Sequence, residues 1–179
     1  MHLAYIAFGA NLPSLAGTPD ATLAAALVEI SALGRIAARS SLYSTAPVGV
    51  VGQPRFVNAV IAIETELAAR SLLNELLSIE RRFGRDRADS VANGPRTLDL
   101  DLLLYGDLIL SEAGLEIPHP RLTQRAFVLV PLAEIAPDLR VPPSRRAVAE
   151  FLAGCPDADR ASVVRIESSH WHTQPDRAP

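Results

Sequence analysis

Residues 97 to 102 read Thr-Leu-Asp-Leu-Asp-Leu, a strict alternation of polar and apolar side chains. On a strand, alternate residues share a face, so Asp99 and Asp101 project together, with backbones about 7 Å apart. If that face is half-buried, two like charges at this separation repel by roughly 2 kcal/mol at an effective dielectric of about 20. A divalent cation removes the repulsion. Hard carboxylate oxygens in this number suit Mg²⁺, which completes its shell with water and substrate phosphates. An isolated Asp-x-Asp is more often the wet face of an amphipathic strand. Aspartate is nonetheless a poor strand former, and two facing one way are best explained by a partner charge. Gly94-Pro95-Arg96 stands directly ahead and delivers a guanidinium beside them. A cation site next to an anion-binding arginine is what a nucleotide with Mg²⁺ requires.

Three further arginines occupy segments that break regular structure. Arg85 and Arg87 follow Gly84, and Arg125 opens a helical stretch beyond Pro118-His119-Pro120-Arg121. Four loop-borne arginines can surround a triphosphate, and a well-placed one is worth about 10³ to 10⁵ in rate. Each taken singly is equally a solvated charge pairing with Asp86 or Asp89; the carboxylate strand tips the balance to function. All 17 basic residues are arginine, so a phosphate-loop lysine and a lysine Schiff base are excluded. His119, held between two prolines, is stiffly placed and is the one histidine away from the termini. It suits phosphate contact rather than an oxygen-rich metal site.

The elements that must hold these groups follow from pattern. Residues 2 to 8, 36 to 44 and 56 to 65 read as strands, and a proline- and glycine-containing loop separates the last two. Thr18-Pro19 opens an alanine- and leucine-rich helix ending near Gly34, and leucines recur at helical spacing from Ala69 to Phe83 before Gly84. After the aspartate strand come a hairpin over 108 to 117, a helix over 124 to 134 and a last helix over 145 to 153. The order strand-helix-strand-strand-helix-strand predicts an α+β, ferredoxin-like αβα sandwich with a mainly antiparallel sheet. A single domain over 1 to 156 is expected, with the polar segment 157 to 179 a poorly ordered tail. The lone Cys155 has no partner for a disulfide. Neither a secretory start nor an apolar run of bilayer length is present, and the expected setting is the cytoplasm, as a monomer.

Five stretches together resemble one family. Ala7-Phe8-Gly9-Ala10-Asn11-Leu12, Thr45-Ala46-Pro47-Val48-Gly49, Gln53 through Ala59, Gly94 through Asp101, and Pro118-His119 with Arg125-Ala126-Phe127 are similar in order and spacing to the 6-hydroxymethyl-7,8-dihydropterin pyrophosphokinases. The resemblance spans roughly residues 3 to 153. It implies transfer of diphosphate from ATP to 6-hydroxymethyl-7,8-dihydropterin in folate synthesis, with two Mg²⁺ ions on Asp99 and Asp101. It further implies that Glu80, Arg85, Arg87, Arg96, His119 and Arg125 serve ATP or assemble the closed site. Of these, with the two aspartates, it implies that Arg85, Arg96, Asp99 and Asp101 form the catalytic set. For the pterin it implies stacking on Phe56 and Phe127, with Asn58 and the backbone near Thr45 and Val48 meeting the ring edge. The sequence departs from the family at Ala92-Asn93, where an arginine and an aromatic are usual, and the stretch 88 to 93 is about one residue longer.

Mechanistically, these residues would align the pterin hydroxyl against the β-phosphorus of ATP, while loops over 48 to 53 and 85 to 93 close to exclude water. Two other classes fit less well. An RNA-binding ferredoxin-like module stacks bases on several aromatics of a basic sheet, but aromatics are 5% and the net charge is -3. No nucleic-acid or membrane partner is therefore expected. A two-metal nuclease would need more carboxylates and a basic track for its polymer.

Overall fold

The computed structural model describes residues 1–47, 52–85 and 94–171. Its main sheet begins with β1 (His2–Ala10), followed by α1 (Pro19–Ile30), β2 (Arg35–Arg39), β3 (Leu42–Thr45) and β4 (Phe56–Thr65). The chain continues through α2 (Ala69–Arg82), β5 (Asp99–Tyr105) and a small hairpin of β6 (Leu110–Glu112) and β7 (Leu115–Ile117). A 3₁₀ turn over Leu122–Gln124 leads to α3 (Ala126–Ile135), a two-strand ribbon of β8 (Arg140–Val141) and β9 (Arg146–Ala147), and α4 (Val148–Ala153). Last come α5 (Asp157–Ala161) and β10 (Val164–Ile166). The sheet runs β10-β3-β4-β1-β5 with β2 also on β4, and every pairing is antiparallel. Taking β2 and β3 as one interrupted strand, this is the expected ferredoxin-like order.

Alternation along β1 builds two cores. Ala4, Ile6, Phe8 and Ala10 join Leu23, Leu27 and Ile30 of α1 and Leu72, Leu76 and Ile79 of α2 on one face. Tyr5 and Ala7 join Val60, Leu103, Val128, Leu129 and Leu132 beneath α3 on the other. Burying each large aliphatic side chain contributes about 1.5–3 kcal/mol, so the helices are fixed by their apolar faces more than by caps. Thr18 makes no side-chain cap on α1, although Pro19 sits at the first helical turn as expected. Gly84 takes φ +84 just past α2, where a side chain would be strained.

Two expectations are corrected. The strand over 36 to 44 is broken at Ser40-Ser41, because Ser40 Oγ accepts the Val60 N–H at 3.0 Å and Ser41 turns to Glu134 of α3, its N–H and hydroxyl both donating to the carboxylate. The segment from 157 is not a disordered tail as far as Trp171. α5 forms, β10 adds to the edge of the sheet on β3, and Trp171 is buried against Phe8. Its indole N–H donates to the Ser40 carbonyl at 2.8 Å. Residues 172–179 lie outside the described residues.

Candidate active site

The site lies at one end of the sheet, on the α3 face. In the strand register Gly9 of β1 stands between Asn58 of β4 and Asp99 of β5, and Ala7 stands between Val60 and Asp101. Residues paired across adjacent strands share a face, so Asn58 and the two aspartates project together over small neighbours. A Cβ at Gly9 would lie 3.2 Å from Asn58 Oδ1 and 3.8 Å from the Asp99 Cβ. The missing side chain there leaves the floor open between the amide and the carboxylate. Above this floor is a cavity of about 640 Å³, lined on one side by Arg85, Arg96, Asp99 and Asp101 and on the other by Thr45, Phe56, Asn58 and Phe127.

On the acidic side Asp99 is paired with both Arg85 and Arg96. Arg85 also donates to the Leu98 carbonyl at 2.9 Å and approaches Glu80 at 3.4 Å. Glu80, 1% exposed, comes from the end of α2 and accepts the Leu100 N–H at 2.8 Å, tying helix, arginine and strand together. Arg85 Nε is buried and, among the described residues, has no hydrogen-bond acceptor. Such a donor costs free energy until an anion reaches it. Asn11, which sequence reasoning noticed only as part of a motif, organises the Arg96 turn. Its Oδ1 accepts the Arg96 N–H at 2.8 Å, its own N–H donates to the Arg96 carbonyl, and its amide donates to the Gln53 side chain and the Pro54 carbonyl.

Asp101 faces His119, with Nε2 3.9 Å from Oδ2. The Arg121 N–H donates to His119 Nδ1 at 3.1 Å, so the neutral ring carries its proton on Nε2, toward the site. Burial, reinforced by Arg125 and Arg121, lowers the His119 pKa to about 4. Burial also lowers the pKa of Arg125, which still carries its charge at neutral pH. Among the described residues no cluster of three or more His, Cys, Asp or Glu is arranged to hold a metal. Asp99 and Asp101, with side chains 18% and 29% exposed, offer the partial oxygen set that Mg²⁺ takes when phosphates and water fill its remaining positions.

The other side is quieter. The Asn58 amide donates to Thr45 Oγ1 at 2.8 Å, and both residues are buried. Phe56 and Phe127 line the cavity and each carries a guanidinium over its ring at 5.3 Å, Arg96 on Phe56 and Arg125 on Phe127. The structure therefore gathers Arg85, Arg96, Asp99, Asp101, Arg125, Thr45, Phe56, Asn58 and Phe127 around one cavity, with Glu80 and His119 directly behind the acidic wall. Val48, Arg87 and the departures at Ala92 and Asn93 lie outside the described residues, as does most of the two loops expected to close.

An acidic strand end facing guanidinium groups, with an aromatic-lined recess beside it, has the chemistry suited to a polyphosphate and a flat second ligand. Comparison with known proteins gives the class a family. Residues 5–137 match the model of the 7,8-dihydro-6-hydroxymethylpterin-pyrophosphokinases. A 2-amino-4-hydroxy-6-hydroxymethyldihydropteridine pyrophosphokinase of Pseudomonas aeruginosa is 46% identical over 154 residues, covering 85% of this chain and 91% of that protein. Its Haemophilus influenzae counterpart is 48% identical over 147 residues, 81% of this chain and 88% of that one. The crystal structure of wild-type HPPK-DHPS from Plasmodium falciparum with pteroate superimposes with a TM-score of 0.68 at 14% identity, over 86% of this chain and 44% of that one. At that identity the likeness is one of fold, and this chain spans under half the length of that two-part protein. The chain belongs to the 7,8-dihydro-6-hydroxymethylpterin-pyrophosphokinase family. Among the described residues no helix is long and apolar enough to cross a membrane.

Proposed function

We propose that this pyrophosphokinase transfers the terminal diphosphate of ATP to the hydroxymethyl oxygen of 6-hydroxymethyl-7,8-dihydropterin, releasing AMP. The observation that carries the reading is the single row Asn58-Gly9-Asp99, which sets an amide for a heterocycle and a carboxylate for a cation on one open floor. Asp99 and Asp101 would hold two Mg²⁺ ions. Bound there, the ions supply charge neutralisation at the attacking and departing oxygens.

The chain's own residues do the rest. Arg85 and Arg96 exchange their hold on Asp99 for phosphate oxygens, and Arg85 Nε gains the acceptor it lacks among the described residues. Arg125 adds a further guanidinium, and His119, neutral at physiological pH, donates from Nε2 without adding charge. Arg87 is assigned to the same phosphates by family likeness alone. Phe56 and Phe127 take the pterin faces, each contact contributing about 0.5–1.5 kcal/mol beyond burial. One N–H of the Asn58 amide is committed to Thr45, and Oδ1 is available to accept from the ring edge. The backbone near Thr45 and Val48 completes that edge. We place the reaction in the cytoplasm and in a monomer.

The deciding experiment is product analysis. Incubation with ATP, Mg²⁺ and the hydroxymethyl pterin is expected to give AMP in amounts that depend on both the pterin and the metal. Formation of ADP would mean transfer of one phosphoryl group and would overturn the assignment.

A further inference from the structure

The segment after α4 lies beyond the residues that match the family model, which end at 137, yet it reaches the cavity. Asp159, Ser162 and Val163 line it alongside Thr45, Ala46 and Phe127. Their position is fixed by three sets of contacts. β10 pairs with β3 so that Val164 stands opposite Ser44, which brings Val163 beside Thr45, the residue that holds Asn58. Arg55 donates to the hydroxyl and carbonyl of Ser44 and to the Ser162 carbonyl, at 2.8, 3.1 and 3.4 Å. Further on, Ser168 donates to Asp20 at the start of α1, and Trp171 is sealed in the core. The Trp171 ring meets Phe8 edge-on at 6.0 Å while its N–H caps the Ser40 carbonyl left free by the break between β2 and β3.

We propose that residues 159 to 163 form a substrate-contacting wall at the pterin end of the cavity, and that Trp171 is the positioning residue that holds this wall in place. The proposal rests on the pterin reading of the Asn58 side. Val163 is half-buried while Ser162 and Asp159 are exposed, so the wall is the rim at which the recess opens to solvent. A rim of this kind limits how large a ring system enters. It lies across the sheet from β5, at the opposite edge, and so acts on the pterin and not on the phosphates.

The test uses the full chain and separates the two substrates. Val163→Trp is expected to raise the pterin KM by about tenfold, with the ATP KM and kcat within about twofold of wild type. Ser162→Trp, at an exposed position, repeats the reading without entering the core. Trp171→Ala is expected to raise the pterin KM by several-fold, and Trp171→Phe, which keeps an aromatic ring but not the indole N–H, to recover most of that change. Unchanged pterin KM in both rim variants, or a parallel change in ATP KM, pterin KM and kcat, would overturn the wall. No AMP formation by the wild-type chain would instead remove the reaction itself, and the wall with it.

Discussion

The two sides of the cavity are built on different principles. On the Asn58 side the polar partners are already matched, amide to hydroxyl, inside a buried strand pair. On the Asp99 side the carboxylate is held by two arginines that the proposed reaction would turn to phosphate, and one guanidinium nitrogen has no acceptor among the described residues. On the proposed reading the recess for a flat ring is preformed, whereas the phosphate side is a set of charges that would exchange partners. Arg96 and Arg125 link the two, since each lies over one of the aromatic rings.

Breaking the acidic side should have the largest effect. Asp99→Ala and Asp101→Ala are each expected to lower kcat on the order of 10²- to 10³-fold, as loss of a group aimed at developing charge does elsewhere. Near-normal turnover in both would refute the metal assignment. The preformed side should respond more mildly and in binding alone. Phe127→Ala is expected to weaken pterin binding about tenfold while leaving ATP affinity near wild type, and unchanged pterin affinity by calorimetry would remove the stacking role.

The smallest effect sharpens the boundary between the sides. Burial places the His119 pKa at about 4, below its ordinary value of 6.5, so the fold favours the neutral ring. The stability this gives is present above pH 6.5 and is lost as pH falls through about 4. NMR of the imidazole protons should show His119 in the free protein unchanged between pH 7 and 5. A midpoint near 6.5 would contradict the buried, neutral donor.

Much of this was legible because the informative signals are local. The alternation at 97 to 102 gave the two aspartates their common face, and Gly84 marked the end of α2 within a residue or two. What escaped depends on distant partners. The break at Ser40-Ser41 is made by Glu134, more than ninety residues away, and nothing in a serine pair announces it. Trp171 lies in a polar stretch whose composition argues for disorder, and only its fit against Phe8 and Ser40 shows otherwise. Asn11 was visible in its motif, but its four hydrogen bonds, two to Arg96 and two to the Gln53-Pro54 segment, need the folded register. Glu80 was reached through family likeness alone, since near a helix end it carries no pattern of its own, whereas His119 was marked by the prolines on either side of it.

The most direct test of the central claim is a crystal structure of the chain with Mg²⁺, a non-hydrolysable ATP analogue and the pterin. Metal density is expected against the carboxylates of both Asp99 and Asp101, with Arg85 and Arg96 moved from Asp99 onto phosphate oxygens. A complex in which the two arginines stay on Asp99 and no ion touches either carboxylate would contradict it.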